Sequence, residues 1–442
     1  MKKVIVYCFA LLLITTVGCQ KESLNLEEAD IAKETEITQK GGYANASNIQ
    51  NNELIILYPD GTTEAEKILK RAEYDIQSHK KCECADPNLE LWTIQERKGP
   101  NNDGGLEEKR EAARSDEEIE GAEYNPEIKI LDNVFVETGG IGFVNDAMQK
   151  QVILNQGVTI AVLDTGIDYN HTGFPEAFLY NSADTGCTDN GYDEIFGWNF
   201  VNENNNPYDD HYGRHGTIVA SLIISELESA NVDYQILPVK VANSGGNISY
   251  FDALCGFQYA ANKPDVDIIN MSFGWYHQER ELLERFILEA PDKLVITSAG
   301  NEGLNNDEIP HYPSSYDSEN ILAIAALANH QVPGYNSNSY ASGSFSNPSV
   351  GGISALADFS NRGVTSVDIA APGEQIPFAY NNEIFYVDGT SYSAALTSGY
   401  SGSIHVDGMS GIVLKTAVIQ NCIFSPYLDD LEHSSFLPLF DD

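Results

Sequence analysis

Three short motifs carry groups able to cooperate in nucleophilic attack on a carbonyl. The run VTIAVLDTGID is a buried-strand pattern from Val158 to Leu163 that delivers Asp164 into a glycine turn. In RHGTIVASLII, His215 and Gly216 open a helix whose Ile218, Val219 and Leu222 are expected to face inward. In DGTSYSAALTSG, Ser391 begins a helix made almost wholly of small residues, which permit close backbone approach and leave the hydroxyl accessible at the positive helix end. Taken singly, these are equally well a turn aspartate, a capping histidine and an N-cap serine. Independent caps have no reason to reproduce the order Asp, His, Ser with all three flanking patterns. Together they supply an orienting carboxylate, a general base and a nucleophile.

The elements needed to position such groups are legible. From Ile130 onward apolar runs alternate with Gly and Asn turns, the pattern of a parallel α/β domain. In open parallel sheets, sites gather at the carboxyl ends of strands, where Asp164 falls. Upstream, ELIILY, IQSHKKCEC, LELWTIQ and EGAEYNPEI have strand character, while EAEKILKRAEY and LEEKREAAR read as helices. The first of these helices places Ile68, Leu69 and Ala72 on one face. The order βαββαβ describes a small α+β ferredoxin-like module over residues 51–129. The acidic stretch from Asn101 to Tyr124 leaves a solvated linker as the alternative for part of it.

The ends carry different information. Lys2 and Lys3 precede an apolar run from Val4 to Val17, too short for a typical membrane span, so residues 1–19 read as an export signal. Val17, Gly18 and Cys19 resemble a bacterial lipobox, which makes Cys19 a candidate lipid anchor at a cell surface or outer membrane, with ordinary secretion as the alternative. Residues 20–50 read as a polar tether, 130–430 as the catalytic domain and 431–442 as a tail. Composition narrows the partners: 66 acidic residues against 25 basic give a formal net charge of -41, which argues against nucleic acid and is compatible with structural calcium. Cys82 and Cys84 lack the paired spacing and histidines of a zinc site. An extracytoplasmic compartment permits one disulfide among Cys187, Cys255 and Cys422.

With DTG, HGT and GTS in this order, the chain resembles the subtilisin-like serine proteases over roughly Ile130 to Cys422. The resemblance implies a three-layer fold with a mainly parallel central sheet, preceded by a ferredoxin-like prodomain. It implies a catalytic triad of Asp164, His215 and Ser391, acting on polypeptides through an acyl-enzyme and requiring no cofactor. Asn301, in KLVITSAGNEG, corresponds to the oxyanion asparagine. Ser272, Phe273 and Gly274 correspond to the strand that pairs with substrate, and Ser298, Ala299 and Gly300 to the edge of the primary specificity pocket. Residues 51–129 correspond to an inhibitory propeptide, with self-cleavage expected between about Asn125 and Gly140. Arg214 stands where the family usually has glycine, and Ala395 where it usually has proline. A catalytically silent binding protein on a protease fold, or a narrow-specificity maturation protease or transpeptidase, are the alternatives.

Overall fold

The computed structural model describes residues 49–82, 84–94, 105–130, 157–171, 174, 178–180, 187–189, 191–276, 280–328, 355–380 and 383–437. The export signal, Cys19, most of the tether and residues 131–156 lie outside the described residues.

The upstream module has the predicted order: β1 (Ile49–Leu57), α1 (Glu64–Glu73), β2 (Ile76–Cys82), β3 (Asp86–Ile94), α2 (Leu106–Arg114) and β4 (Gly121–Lys129). Its strands lie in the antiparallel order β4-β1-β3-β2. Alternation along β1 divides its side chains between two cores. Leu54 and Ile56 pack with Trp92, Leu106 and Ala113 inside the module, whereas Ile55 and Leu57 join the core of the downstream domain.

Helix α1 starts where expected, with a capping box between Thr63 and Glu66, but it buries the opposite face. Lys67, Lys70 and Arg71 are buried, while Ile68 and Leu69 are 54% and 69% exposed. The reason is a set of carboxylates contributed by other elements. Arg71 pairs with Glu90 on β3 at 2.5 Å and with Glu64, and Lys70 meets Asp116 at 2.7 Å. Cationic heads so neutralised can be buried, which the aliphatic pattern alone did not anticipate.

Downstream, β5 (Val158–Asp164) is followed by β6 (Trp198–Asn199), α3 (His215–Ser229), β7 (Tyr234–Lys240), β8 (Asn247–Ser249) and α4 (Tyr250–Ala261). Then come β9 (Ile268–Met271), α5 (Glu281–Leu288), β10 (Leu294–Ser298), β11 (Ile321–Leu327) and β12 (Ile369–Pro372). The chain continues through α6 (Thr390–Ile404), α7 (Gly411–Asn421), β13 (Ile423–Phe424) and β14 (Ser435–Phe436). Nine strands form one sheet in the order β13-β14-β12-β11-β10-β9-β5-β7-β6, parallel throughout except for the β13/β14 pair. Two apolar cores hold the layers: α3 and α6 pack with one, and α4 and α5 with the other. This is the expected α/β architecture with a mainly parallel sheet.

One boundary differs from the sequence reading. Ser435–Phe436 pair into the sheet and Leu431 and Leu437 are buried, so residues 431–437 belong to the domain and not to a tail. The cysteines also pair differently. Cys82 bonds to Cys255 and Cys84 to Cys187, leaving Cys422 as the thiol among the described cysteines. The Cα separations of 5.7 and 5.4 Å suit such bonds. A pairing confined to the downstream domain was expected because sequence spacing does not reveal that β2 lies against α4.

Candidate active site

The carboxyl end of β5 places Asp164 fully buried beside the first residue of α3. His215 Nδ1 lies 2.7 and 2.9 Å from the two carboxylate oxygens. With the carboxylate oxygens as acceptors, Nδ1 is the donor in this contact. In the neutral ring the lone pair is then on Nε2, the state required of a general base.

The residues around these two groups explain the motifs. Gly216 N donates to the Thr165 hydroxyl at 2.9 Å, and the Thr217 hydroxyl accepts from Asp168 N at 2.9 Å. The threonines of DTG and HGT thus tie the strand end to the helix start. Glycine at 216 is a spatial requirement: a Cβ there would sit 2.2 Å from Gly166 O and 3.0 Å from Asp164 Oδ1. Asp209, fully buried, accepts from Thr217 N at 3.0 Å and from its hydroxyl at 2.6 Å. It satisfies one of the free N–H groups in the first turn of α3, behind the histidine. Burial raises the Asp209 pKa above the ordinary carboxylate range, against the opposing pull of Lys240, Thr217 and Arg214.

Arg214 accounts for its own departure from the usual glycine. Its φ of 53° is left-handed, a region that favours glycine, yet the side chain is buried, with the guanidinium over the Tyr208 ring and a bond to Asp209 O. These contacts hold the arginine in a conformation its Cβ resists. Nearby, Lys240 Nζ binds Thr165 O, Ala242 O and Asp210 Oδ1 at 2.5, 2.9 and 2.8 Å. The acidic loop before His215 is therefore met by protein cations.

Ser391 enters from the start of α6. Its hydroxyl donates to Ser272 O at 3.2 Å, and the Ser272 hydroxyl donates to Ser391 O at 3.1 Å. The next side chain, Tyr392, has its ring 5.8 Å from the imidazole of His215. Asn270 anchors this junction: its amide donates to Ser272 Oγ at 2.9 Å and its oxygen accepts from Ser398 at 3.0 Å.

Asn301 is oriented by Thr390. The backbone N–H and hydroxyl of Thr390 donate to Asn301 Oδ1 at 2.8 and 2.9 Å. Two donors on the oxygen fix the amide's orientation and assign its other end as the NH2 donor. Thr390, Asn270 and Asp209 were not singled out in the sequence; a hydroxyl immediately before Ser391 was the one available signal.

The two segments expected to line a substrate meet the same junction. Ser272, Phe273 and Gly274 follow β9; Ser298 ends β10 and leads into Ala299 and Gly300. A Cβ on Gly274 would lie 2.3 Å from His311, and one on Gly300 would lie 2.7 Å from the Tyr276 hydroxyl. Tyr276 contacts Glu302 and accepts from Asn361 Nδ2 at 2.8 Å, and its ring stands edge-on to His311 at 4.9 Å. Burial lowers His311 to about 3, so this imidazole is neutral.

For metals, one group among the described residues has ligand-like spacing: Asp368, Glu432 and His433. Lys415 Nζ already stands 2.7 Å from Asp368 Oδ1. No described helix is long and apolar enough to cross a membrane.

Residues 155–421 match the subtilase family model, Peptidase_S8. The chain belongs to the subtilase family. This subtilase is 28% identical to the cell wall-associated protease of Bacillus subtilis (strain 168) over 55% of its own length and 23% of that protein's. It is 26% identical to the thermophilic serine proteinase of Bacillus sp. (strain AK1) over 69% of its own length and 63% of that protein's. The chain spans less than two thirds of each of these relatives. A cold adapted subtilisin-like serine proteinase of known structure aligns with a TM-score of 0.46 at 18% identity, over 65% of this chain and 90% of that one.

Proposed function

We propose that this subtilase is a serine endopeptidase acting outside the cytoplasm, with Asp164, His215 and Ser391 as its triad. The observation that carries the reading is the buried Asp164–His215 contact at 2.7 Å, with the ring of Tyr392, the residue after Ser391, 5.8 Å from the imidazole. His215 takes the proton of Ser391 as the hydroxyl attacks a peptide carbonyl, and Asp164 stabilises the ring as it becomes charged. The oxyanion is held by the NH2 of Asn301, whose orientation is set by Thr390, together with the backbone N–H of Ser391. The amine leaves with the proton from His215, and water repeats the cycle on the acyl-enzyme. No step calls for a cofactor, and structural calcium remains a separate proposal for the acidic surface.

A peptide pairs as an added strand along Ser272 to Gly274, its side chain before the cut bond lying towards Ser298 to Gly300. His311 occupies the space beside Gly274 and Tyr276 that beside Gly300, which favours a small side chain there. The module over residues 51–129 acts as an inhibitory propeptide. A cut inside β4 is disfavoured because the strand is paired on both sides, so processing falls after Ile130. Export is supported by the apolar N-terminal run and by two disulfides, and surface attachment would follow from lipidation of Cys19.

Fluorophosphonate labelling of the full chain tests the reading. Labelling is expected in the unmodified chain and absent from Ser391→Ala, and mapping of cleaved peptides reads the preferred side chain. A chain that takes no label at any concentration, while folded, is a binding protein instead.

A further inference from the structure

Two covalent bonds cross from the N-terminal module to the family domain. Cys82, at the end of β2, bonds to Cys255 in α4, and Cys84 bonds to Cys187. Both upstream cysteines precede the matched residues 155–421, and both downstream ones lie within them. Each bond therefore bridges the connecting segment, and hydrolysis between Ile130 and Gly157 leaves the two pieces joined.

The surrounding contacts keep these cysteines in register. Strand β4 pairs antiparallel with β8, from Lys129 opposite Asn247 to Glu127 opposite Ser249. Asn125 Oδ1 accepts from Phe251 N at 3.0 Å, Glu123 accepts from Leu282 N at 3.2 Å, and Lys80 Nζ meets Asp252 at 2.9 Å. Cys187 is fixed by Glu194, which accepts from Cys187 N at 2.7 Å, binds the Tyr259 hydroxyl and pairs with Lys263 at 3.0 Å. Tyr259 lies one turn beyond Cys255 on α4, so one helix organises the partners of both upstream cysteines.

We propose that the module persists as a disulfide-linked partner of the peptidase domain after the connecting segment is cut, so its departure requires reduction of both bonds as well as hydrolysis. The proposal deepens the propeptide reading but does not depend on which protease makes the cut. A tethered module returns to its site at an effective concentration of about millimolar, so dilution does not remove it. A dithiol opens each bond by exchange. Its first thiolate attacks one sulfur and expels the other as a protein thiolate; its second closes a ring, leaving two protein thiols and one cyclic disulfide.

The test uses the full chain carrying Ser391→Ala and a sequence-specific protease site inserted after Ile130. After cutting and alkylation of free thiols, denaturing electrophoresis without reductant is expected to show one species at the uncut mass, and with dithiothreitol two fragments. Fragments that separate without reductant overturn the proposal. Cys82→Ser or Cys84→Ser alone should leave the pieces joined, and the two together should release them; separation in either single variant rules out the two-bond form. Mass spectrometry of an unreduced digest of the unmutated chain reads the same bonds without any substitution, and lack of the cross-linked peptides also overturns the proposal. An uncut unmutated chain beside a joined, cut Ser391→Ala chain would eliminate self-processing and leave the tether standing.

Discussion

Helices α1 and α6 both bury polar side chains, by opposite means. In α6, where every residue from Thr390 to Gly402 is buried, several hydroxyls are satisfied by their own helix. Thr397, Ser401 and Ser403 donate to the carbonyls of Ser393, Thr397 and Tyr400 at 2.7 to 2.8 Å. In α1 the buried groups are Lys67, Lys70 and Arg71, satisfied in large part by β3 and Asp116. Local satisfaction lets α6 pass close to α3: a Cβ on Gly399 would lie 2.7 Å from Ile223 O. Long-range satisfaction makes α1 dependent on partners that a helical pattern does not display. The peptidase region is thus organised by small size and apolar packing, and the module by paired charge.

The comparison is sharpened most by breaking a charge in the module. Arg71→Ala leaves Glu90 buried with Trp92 Nε1 as a remaining donor at 3.0 Å, and should cost about 3–5 kcal/mol. Amide exchange along β1 and β3 in the full chain reads that loss, while joint replacement by Met at 71 and Leu at 90 should recover most of it. On the peptidase side, Asn301→Ala should lower turnover of a peptide substrate by about 10²–10³, the loss seen for the corresponding change in subtilisin itself. Its thermal midpoint should fall as well, because the change takes the acceptor from the N–H and hydroxyl of buried Thr390.

A buried charge without a paired cation offers a third test. Burial against α6 pushes Glu226 up to about 7. Its folded form therefore holds a proton that the unfolded chain releases near pH 4.5. Stability at this site is full below that value, declines as pH rises towards 7 and is flat above. Glu226→Gln should stabilise by about 3 kcal/mol at pH 8 and by little at pH 4, from 1.36 kcal/mol per unit. Equal stabilisation at both pH values in denaturant titrations would refute the burial argument. Smallest is the effect of Ile68→Ser with Leu69→Ser, within about 0.5 kcal/mol by the same titrations, because these aliphatics face solvent.

What could be read before any coordinates follows the same division. Asp164, His215 and Ser391 were legible as residues because each stands in a short run, DTG, HGT or GTS, but the bonds those runs make reach other segments and were not. Gly216 was likewise legible as part of a motif, whereas the reason for it, a collision with Gly166 and Asp164 far upstream in the chain, appears only in the fold. The βαββαβ order and the parallel sheet were likewise visible from strand and helix periods. Asp209 and Asn270 were not, because their roles depend on contacts made only after folding. The buried face of α1 was misread since Ile68 and Leu69 were weighed without Glu90, and the cysteine pairs because β2 and α4 are far apart in the chain.

Cys422 gives the covalent framework its permanence. Its thiol donates to Val418 O at 3.3 Å, and burial pushes it up to about 12. Nearly all of it is protonated at neutral pH, and a protonated sulfur does not initiate thiol–disulfide exchange. The downstream domain thus half-buries a cysteine that is chemically quiet towards the cross-links, so shuffling among the five described sulfurs is suppressed in the folded chain.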